Sequence, residues 1–245
     1  DPSWRGTATA DATARGPLDA LAVTGSLTAA GVAAGGLRST QAAAVFAAAG
    51  VGGAAPTGTA RLVGTAAILD NGPEQSLGAD LAWRHTPTRT IVELRDLFVP
   101  LAGQPWHLAR PAVVVAAGDL TTPGLTLVAG PQRLALAGRL GLHTSSDASL
   151  DVAALDVGTL CALAGLPPCA GRLDGRLAVT GPAGAPRLAV TVAASRLAVG
   201  DVRLRQWRGD VRVRDLGAGD DAPDREVELA REREPIYRAA AHWTL

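Results

Sequence analysis

Residues 171–214 alternate apolar and polar side chains with a period of two, and this alternation limits the fold more than any other feature of the sequence. In residues 171–180, Leu173 and Leu177 fall on one face, while arginine and aspartate occupy the other. Such a period belongs to a β-strand with one apolar and one solvated face. The pattern resumes after the proline- and glycine-containing turn at 181–186 without an intervening helical period. The segment therefore predicts four or five consecutive strands of an antiparallel meander.

The same succession of strand and turn recurs upstream. The 29 glycines and 16 prolines punctuate the chain at short intervals, as turns between strands do. Strands are predicted at residues 111–117, 125–129 and 133–140, and another begins at Leu150. This repetition is typical of sandwich, barrel and solenoid architectures. We therefore expect an all-β fold with a mostly antiparallel sheet.

The first third of the chain has a weaker pattern. Leu18, Leu21, Val23 and Leu27 fit short strands, although the alanines around them blur the period. Residues 41–50 are dense in alanine, which has a high helix propensity, but their strand-like neighbours favour a strand. Farther on, residues 91–99 alternate only imperfectly.

One short helix is expected at residues 157–166, because Asp156 can act as its N-cap and the prolines at 167 and 168 would stop it. The two cysteines, Cys161 and Cys169, flank this end of the helix. They form a disulfide if the protein lies in an oxidising compartment; otherwise they are small buried thiols. The sequence leaves both alternatives open.

The apolar residues are of an unusual kind. They make up 47% of the chain, but alanine, leucine and valine supply nearly all of them, aromatic residues are only 3%, and methionine is absent. Because a compact core of this size normally uses bulkier side chains, the buried layers are expected to be thin, which favours a long, shallow structure. The 23 basic and 23 acidic residues cancel, which argues against a general nucleic-acid binder.

Residues that could carry chemistry are scattered. His85, His107, His143 and His242 lack the spacing of metal ligands. Residues 145–147, Ser-Ser-Asp, have no nucleophile elbow around them. We therefore predict no catalytic residues, no metal site and no cofactor, and we interpret the protein as a non-enzyme.

Several phrases in the second half of the chain resemble one family of envelope proteins. The phrases stand at residues 104–112 (QPWHLARPA), 125–130 (LTLVAG), 134–140 (LALAGRL), 148–157 (ASLDVAALDV) and 171–188 (GRLDGRLAVTGPAGAPRL). Their order is similar to that in the central repeat region of TamB-like proteins, the translocation and assembly module family related to AsmA-like proteins. The resemblance covers about half of the chain; residues 1–90 fit loosely and residues 217–245 do not fit.

The resemblance implies a fold and a function. Members of the family are anchored in the inner membrane of diderm bacteria and cross the periplasm as an elongated, curved β-sheet, a taco-like half-tube with an apolar inner face. They are thought to move phospholipids between the two membranes in support of outer-membrane biogenesis, and some contact BamA-like outer-membrane barrels. On this reading the chain is a periplasmic segment of a larger protein, with residues 1–216 as a continuous β-sheet region and residues 217–245 as a charged tail of uncertain structure.

A set of apolar strand residues is predicted to line a lipid groove. If a sheet curls without closing into a barrel, its apolar face lines a trough. Transfer of an acyl chain from water into this trough is favourable by about 0.8 kcal/mol of free energy per CH₂ group. The candidates are Leu134, Leu136, Leu173, Leu177, Val179, Leu188, Val190, Val192, Leu197, Val199, Val202 and Leu204. The expected ligands are phospholipid acyl chains.

Other functions remain open. Alternating apolar residues more often form an ordinary core than a ligand groove. A passive β-solenoid stalk or adhesin passenger at the cell surface is the main alternative, although the sequence lacks the tight repeats and Asn or Gly ladders of a solenoid. A hydrolase built on a β-helix is disfavoured by the absence of paired carboxylates on one strand face.

Overall fold

The computed structural model describes residues 5–34, 37–66, 75–101, 104–141, 143–163, 168–199, 202–213 and 228–230. These residues form strands and one short helix. The chain divides into two compact units, which are described separately. The first comprises Asp1–Ala117 and Leu127–Ala129, and the second comprises Gly118–Thr126 and Gly130–Leu245.

The first unit is an antiparallel sheet in which each strand from β1 to β6 pairs with the next one along the chain. Its strands are β1 (Arg5–Arg15), β2 (Leu21–Ala34), β3 (Leu37–Val51), β4 (Thr57–Ala66), β5 (Gln75–Thr86), β6 (Arg89–Leu101), β7 (Gln104–Leu108) and β8 (Ala112–Ala116). β1 to β6 follow this order of pairing. The short β7 and β8 both pair with β6, β7 near its end and β8 near its start.

The second unit repeats this plan. β9 (Leu120–Ala129) has residues in both units, and the second unit continues with β10 (Gln132–Leu140), β11 (Ser145–Asp156), α1 (Val157–Leu163), β12 (Cys169–Pro182), β13 (Arg187–Val199), β14 (Val202–Val213) and β15 (Glu228–Ala230). From β10 to β15, each strand pairs antiparallel with the next strand. The all-β, mostly antiparallel fold is therefore confirmed, whereas the curved half-tube form stays a prediction.

The predicted short helix is also confirmed, over Val157–Leu163. The Asp156 carboxylate accepts hydrogen bonds from the backbone N–H of Gly158 at 3.3 Å and from the hydroxyl of Thr159 at 3.4 Å. This is the geometry of an N-cap, which satisfies a donor that the first helical turn leaves unpaired. The predicted end of the helix, at residues 164–166, lies outside the described residues.

Three strand predictions need correction. The described part of residues 171–214 contains three long strands rather than four or five, because β13 continues through Arg196, which has a positive φ of 53°, and β14 is one strand from Val202 to Val213. The strand predicted at residues 125–129 begins earlier, at Leu120. Leu18 lies in the turn between β1 and β2 and is 85% exposed, so it belongs to no strand.

Pairing with neighbouring strands determines the secondary structure of the segments for which local propensity was ambiguous. The alanine-rich residues 41–50 are confirmed as part of β3, which is hydrogen-bonded to β2 on one side and to β4 on the other. A helix here would satisfy its own backbone but would leave the edges of β2 and β4 that face β3 without hydrogen-bond partners. The imperfect alternation at residues 91–99 also has a structural cause, since the pairing of β5 with β6 shifts between Asp80 and Leu81.

Buried side chains are few and unevenly placed. Among the residues from Arg5 to Val99 whose burial is described, none is buried, and β1 to β6 contact mainly their sequence neighbours. Buried residues of the first unit follow at Pro100, Trp106 and Ala112. The second unit has a small buried cluster at α1, formed by Leu155, Val157, Thr159 and Cys161. The interpretation of residues 1–216 as one continuous region stays a prediction. Of the tail at 217–245, only Glu228–Ala230 lies among the described residues, as a strand beside β14.

Candidate functional site

The pairing register of the second unit collects apolar side chains on one face of the sheet. Residues directly opposite each other in neighbouring antiparallel strands point to the same face. Leu136 is opposite Leu150, Leu150 is opposite Leu177, and Leu177 is opposite Val190. These residues form one apolar row that crosses β10 to β13, and the register places Val211 of β14 at its end.

Three further rows flank this one. They consist of Leu134, Val152, Gly175, Val192 and Gly209; of Gly138, Ala148, Val179, Leu188 and Val213; and of Leu155, Leu173, Ala194 and Trp207. We call these four rows the second apolar face. It contains the groove candidates Leu134, Leu136, Leu173, Leu177, Val179, Leu188, Val190 and Val192, and each of their side chains is half-buried.

The remaining groove candidates lie beyond an irregularity. Between β12 and β13 the register shifts next to Arg196, so simple alternation does not carry over to the end of β13. Past this point, Leu197 is opposite Leu204 and Val199 is opposite Val202. The register therefore does not join these four candidates to the four rows.

The first unit carries a second surface of this kind, which the sequence prediction missed. We call it the first apolar face; its rows cross β1 to β6 and reach β8. It consists of Ala8, Ala10, Ala12, Ala14, Val23, Gly25, Leu27, Ala29, Ala42, Ala44, Phe46, Ala48, Gly58, Ala60, Leu62, Gly64, Leu77, Ala79, Leu81, Trp83, Val92, Leu94, Ala112 and Val114. The sequence pattern did not reveal this face, because alanines also occur on the opposite face and weaken the two-residue alternation of apolar and polar side chains.

Apart from Ala112, which is buried, the first apolar face lacks the burial of a protein core. Leu27 and Leu62, which flank Ala44 in one row, are 39% and 38% exposed. A sheet with one apolar face normally packs it against a second layer. Of the residues from Ala8 to Leu94 on this face, all of which have a described burial, none is buried. This part of the face is therefore not the core side of a packed layer.

Aromatic side chains on these faces lie over glycines. A Cβ added to Gly58 would be 2.5 Å from Cε2 and Nε1 of Trp83, the residue directly opposite on β5. A Cβ on Gly25 would be 2.7 Å from Cζ of Phe46, again the residue opposite. The rings therefore occupy the space that a side chain on the neighbouring strand would fill, as in other sheets where an aromatic residue covers a glycine.

The face opposite the second apolar face is polar. In the second unit Asp151 is opposite Arg176, with Nε of the arginine 3.7 Å from Oδ1 of the aspartate, and Arg139 is opposite Asp147. Opposite charges facing each other across strands favour this register. A slip of one residue would move these charges onto the apolar face, so the polar pairs help to fix which face is apolar.

A disulfide links α1 to β12 in the second unit. Cys161 in α1 is bonded to Cys169, the first residue of β12, with the two Cα atoms 6.3 Å apart. Of the two alternatives that the sequence left open, the structure has the disulfide. Together with the N-cap at Asp156, the bond ties α1 to the strand ends on both sides of it.

The scattered polar residues do not form a common centre. Nδ1 of His85 lies 2.8 Å from the Thr90 hydroxyl, and the ring of His107 packs against Phe98 at 4.9 Å. The Ser146 hydroxyl accepts a hydrogen bond from the N–H of Gly141 at 3.0 Å. Within the part of the chain that the structure describes, no group of three or more His, Cys, Asp or Glu side chains is arranged as a metal site. His242 lies outside it.

Comparisons of the chain with protein-family models, with curated proteins and with solved structures find no match. Among the described residues, no helix is both long and apolar enough to span a bilayer.

Proposed function

We propose that this chain is a segment of a TamB- or AsmA-like, membrane-bridging protein that moves phospholipids across the periplasm between the inner and outer membranes. The lipid acyl chains lie on the first and second apolar faces, and the headgroups stay in solvent. The segment works as a conduit and not as an enzyme. The observation that carries this proposal is an apolar sheet face of many strands on which every residue from Ala8 to Leu94 remains partly exposed.

The energetics of the faces suit transport. A chain of about fifteen methylene groups that leaves water gains about 12 kcal/mol, at about 0.8 kcal/mol for each CH₂. The acyl chains of a lipid in a bilayer are already removed from water, so they already have this favourable transfer free energy. Leucine side chains are about as apolar as lipid tails. Transfer from the membrane to the face is therefore close to neutral in free energy, which a conduit needs if lipid is to leave as readily as it enters.

The composition of the faces favours movement over capture. On the rows of the second apolar face, every residue is alanine, glycine, valine, leucine or tryptophan. Such side chains offer no hydrogen bond to a headgroup apart from one indole N–H, so no position holds a lipid by its polar end. Similar contact at successive positions lets an acyl chain slide without meeting one tight site.

The disulfide supports a location outside the cytoplasm. Disulfides form and persist in oxidising compartments, among them the bacterial periplasm. The bond between Cys161 and Cys169 therefore agrees with the proposed periplasmic position of the segment. An inner-membrane anchor elsewhere in the protein, and contact with a BamA-like barrel, belong to the proposal through the family resemblance.

Strand pairing weakens the main alternative. A stalk or adhesin built as a β-helix stacks its coils through parallel strand pairs. Every described strand pair in this chain is antiparallel. A passive antiparallel stalk is still a distinct function, and it differs from a conduit by carrying no lipid.

Site-specific photocrosslinking in cells tests the proposal. A photoreactive residue is placed at Leu177 or Val190, which are opposite each other on the second apolar face, in the full-length protein. Control positions are Arg176 and Arg187, which the register places on the polar face. We expect phospholipid adducts at Leu177 and Val190 only. Adducts to protein alone at these two positions would mean that the face is covered by polypeptide, and the transport function would be refuted.

A further inference from the structure

Trp207 and Gly209 form an aromatic–glycine arrangement on the second apolar face. The two residues are on the same face of β14, two positions apart, and Gly209 lies opposite Val192 of β13. A Cβ added to Gly209 would be 2.6 Å from Cη2, 2.8 Å from Cζ2 and 3.4 Å from Cζ3 of Trp207. These are atoms of the six-membered ring, so the ring lies down over the glycine.

We propose that glycines at these positions control how far the neighbouring aromatic rings protrude into the lipid path. Because glycine has no side chain, the ring can lie flat against the sheet, where it contacts the acyl chain without obstructing its movement. This inference rests on the proposed function, and it assigns Gly209, Gly58 and Gly25 as specificity-determining positions. A flat ring admits a thin, unbranched acyl chain, whereas a raised ring would stand in its way.

The arrangement recurs in both units. Phe46 lies over Gly25 and Trp83 over Gly58 on the first apolar face, and Trp207 lies over Gly209 on the second. These three aromatic side chains are half-buried, as expected for rings with one side against backbone and the other open. The remaining positions of the two faces carry aliphatic side chains or glycine, which need no such arrangement.

Gly209 offers the cleanest test. At Gly58 and Gly25 an added Cβ would also approach backbone oxygens, those of Ala47 at 2.7 Å and Asp11 at 2.5 Å, so a substitution would disturb strand pairing as well as the ring. At Gly209 the three nearest atoms, at 2.6, 2.8 and 3.4 Å, all belong to the Trp207 ring. The backbone of Gly209 is not among those with a positive φ, so alanine fits it without strain. The Cβ of Gly209→Ala therefore meets the Trp207 ring before it meets any backbone atom.

The experiment uses the full-length protein with a photoreactive residue at Val192, opposite Gly209. Acyl adducts are measured by mass spectrometry in the native background, in Gly209→Ala and in the double variant Gly209→Ala with Trp207→Ala. We expect the adducts to fall by about tenfold in Gly209→Ala, the factor for displacing roughly two methylene groups from the face. Removing the ring in the double variant should restore them to near the native level.

A purely structural role predicts the opposite order. If Trp207 and Gly209 served only to stabilise β14, the double variant would lose a further contact and bind no better than Gly209→Ala. That result, or unchanged adducts in Gly209→Ala, would overturn the inference.

Residue-resolved hydroxyl-radical footprinting provides a readout that does not depend on lipid. Oxidation of Trp207 should rise in Gly209→Ala as the ring lifts away from the backbone, and unchanged oxidation would overturn the inference directly. Raised oxidation together with no acyl adducts in the native background would mean that the proposed transport function has failed, although the ring is supported by the glycine as described. The two failures are therefore distinguishable.

Discussion

A carboxylate placed on the second apolar face should interrupt lipid occupancy, whereas the same carboxylate one residue away should not. Val190 lies in the row with Leu136, Leu150 and Leu177, and its side chain is half-buried. Its neighbour Ala189 points to the polar face, where it lies opposite Arg212. The variants Val190→Asp and Ala189→Asp thus add the same charge to the same strand on opposite faces.

The size of the effect follows from the burial of Val190. An aspartate at the centre of a fully apolar environment costs about 3 kcal/mol relative to an aliphatic residue. Because Val190 is only half-buried, roughly half of this cost, about 1.5 kcal/mol, opposes an acyl chain at this point. Since about 1.4 kcal/mol changes an equilibrium tenfold, lipid occupancy next to Val190 should fall by about tenfold.

The assay is photocrosslinking from Leu177, directly opposite Val190, in the full-length protein. Adducts per protein are measured by mass spectrometry in the native, Val190→Asp and Ala189→Asp backgrounds, and circular dichroism checks that each variant keeps its strand content. We expect a tenfold loss in Val190→Asp, in keeping with the burial estimate, and no loss in Ala189→Asp. Equal losses in both variants, or no loss in either, would refute the assignment of the faces.

Three further predictions concern stability. Replacing Cys161 and Cys169 by serine should lower the free energy of unfolding by about 2–3 kcal/mol, the loop-closure value for a short disulfide loop; a urea titration checks this, and a reductant should affect only the native protein. Asp156→Ala should cost about 1 kcal/mol through loss of the N-cap, while Asp156→Asn should cost much less; equal costs would argue against capping. The exposed pair of Arg176 and Asp151 should show a coupling of no more than about 1 kcal/mol in a double-mutant cycle, falling with added salt; a larger, salt-insensitive coupling would contradict this.

Local periodicity identified which residues of β12 share a face, although it did not give the number of strands in the second unit. Leu173 and Leu177 alternate with charged residues so regularly that their shared face follows from the period of two alone, and the register confirms it. The N-cap at Asp156 could also be predicted from the sequence, because capping depends on residues within one turn of the helix.

The first apolar face could not be identified in this way. Phe46 and Trp83 lie among alanines that occupy both sides of their strands, so the local pattern does not say which side is apolar. Only the pairing of Phe46 with Gly25, and of Trp83 with Gly58, shows that the rings share one surface. Such contacts join residues far apart in the chain, and nothing in the neighbouring sequence specifies them.

The sequence by itself determined that this protein alternates between an apolar and a polar side, because the two-residue period of a strand is a local property of the chain. The tertiary structure alone decided how far each apolar row extends, where Arg196 breaks it, and that Cys161 is bonded to Cys169. It also decided that the apolar side in residues 5–99 stays half-exposed. Burial depends on which elements pack over a face, and that is settled by contacts between distant parts of the chain and not by the order of residues within a strand.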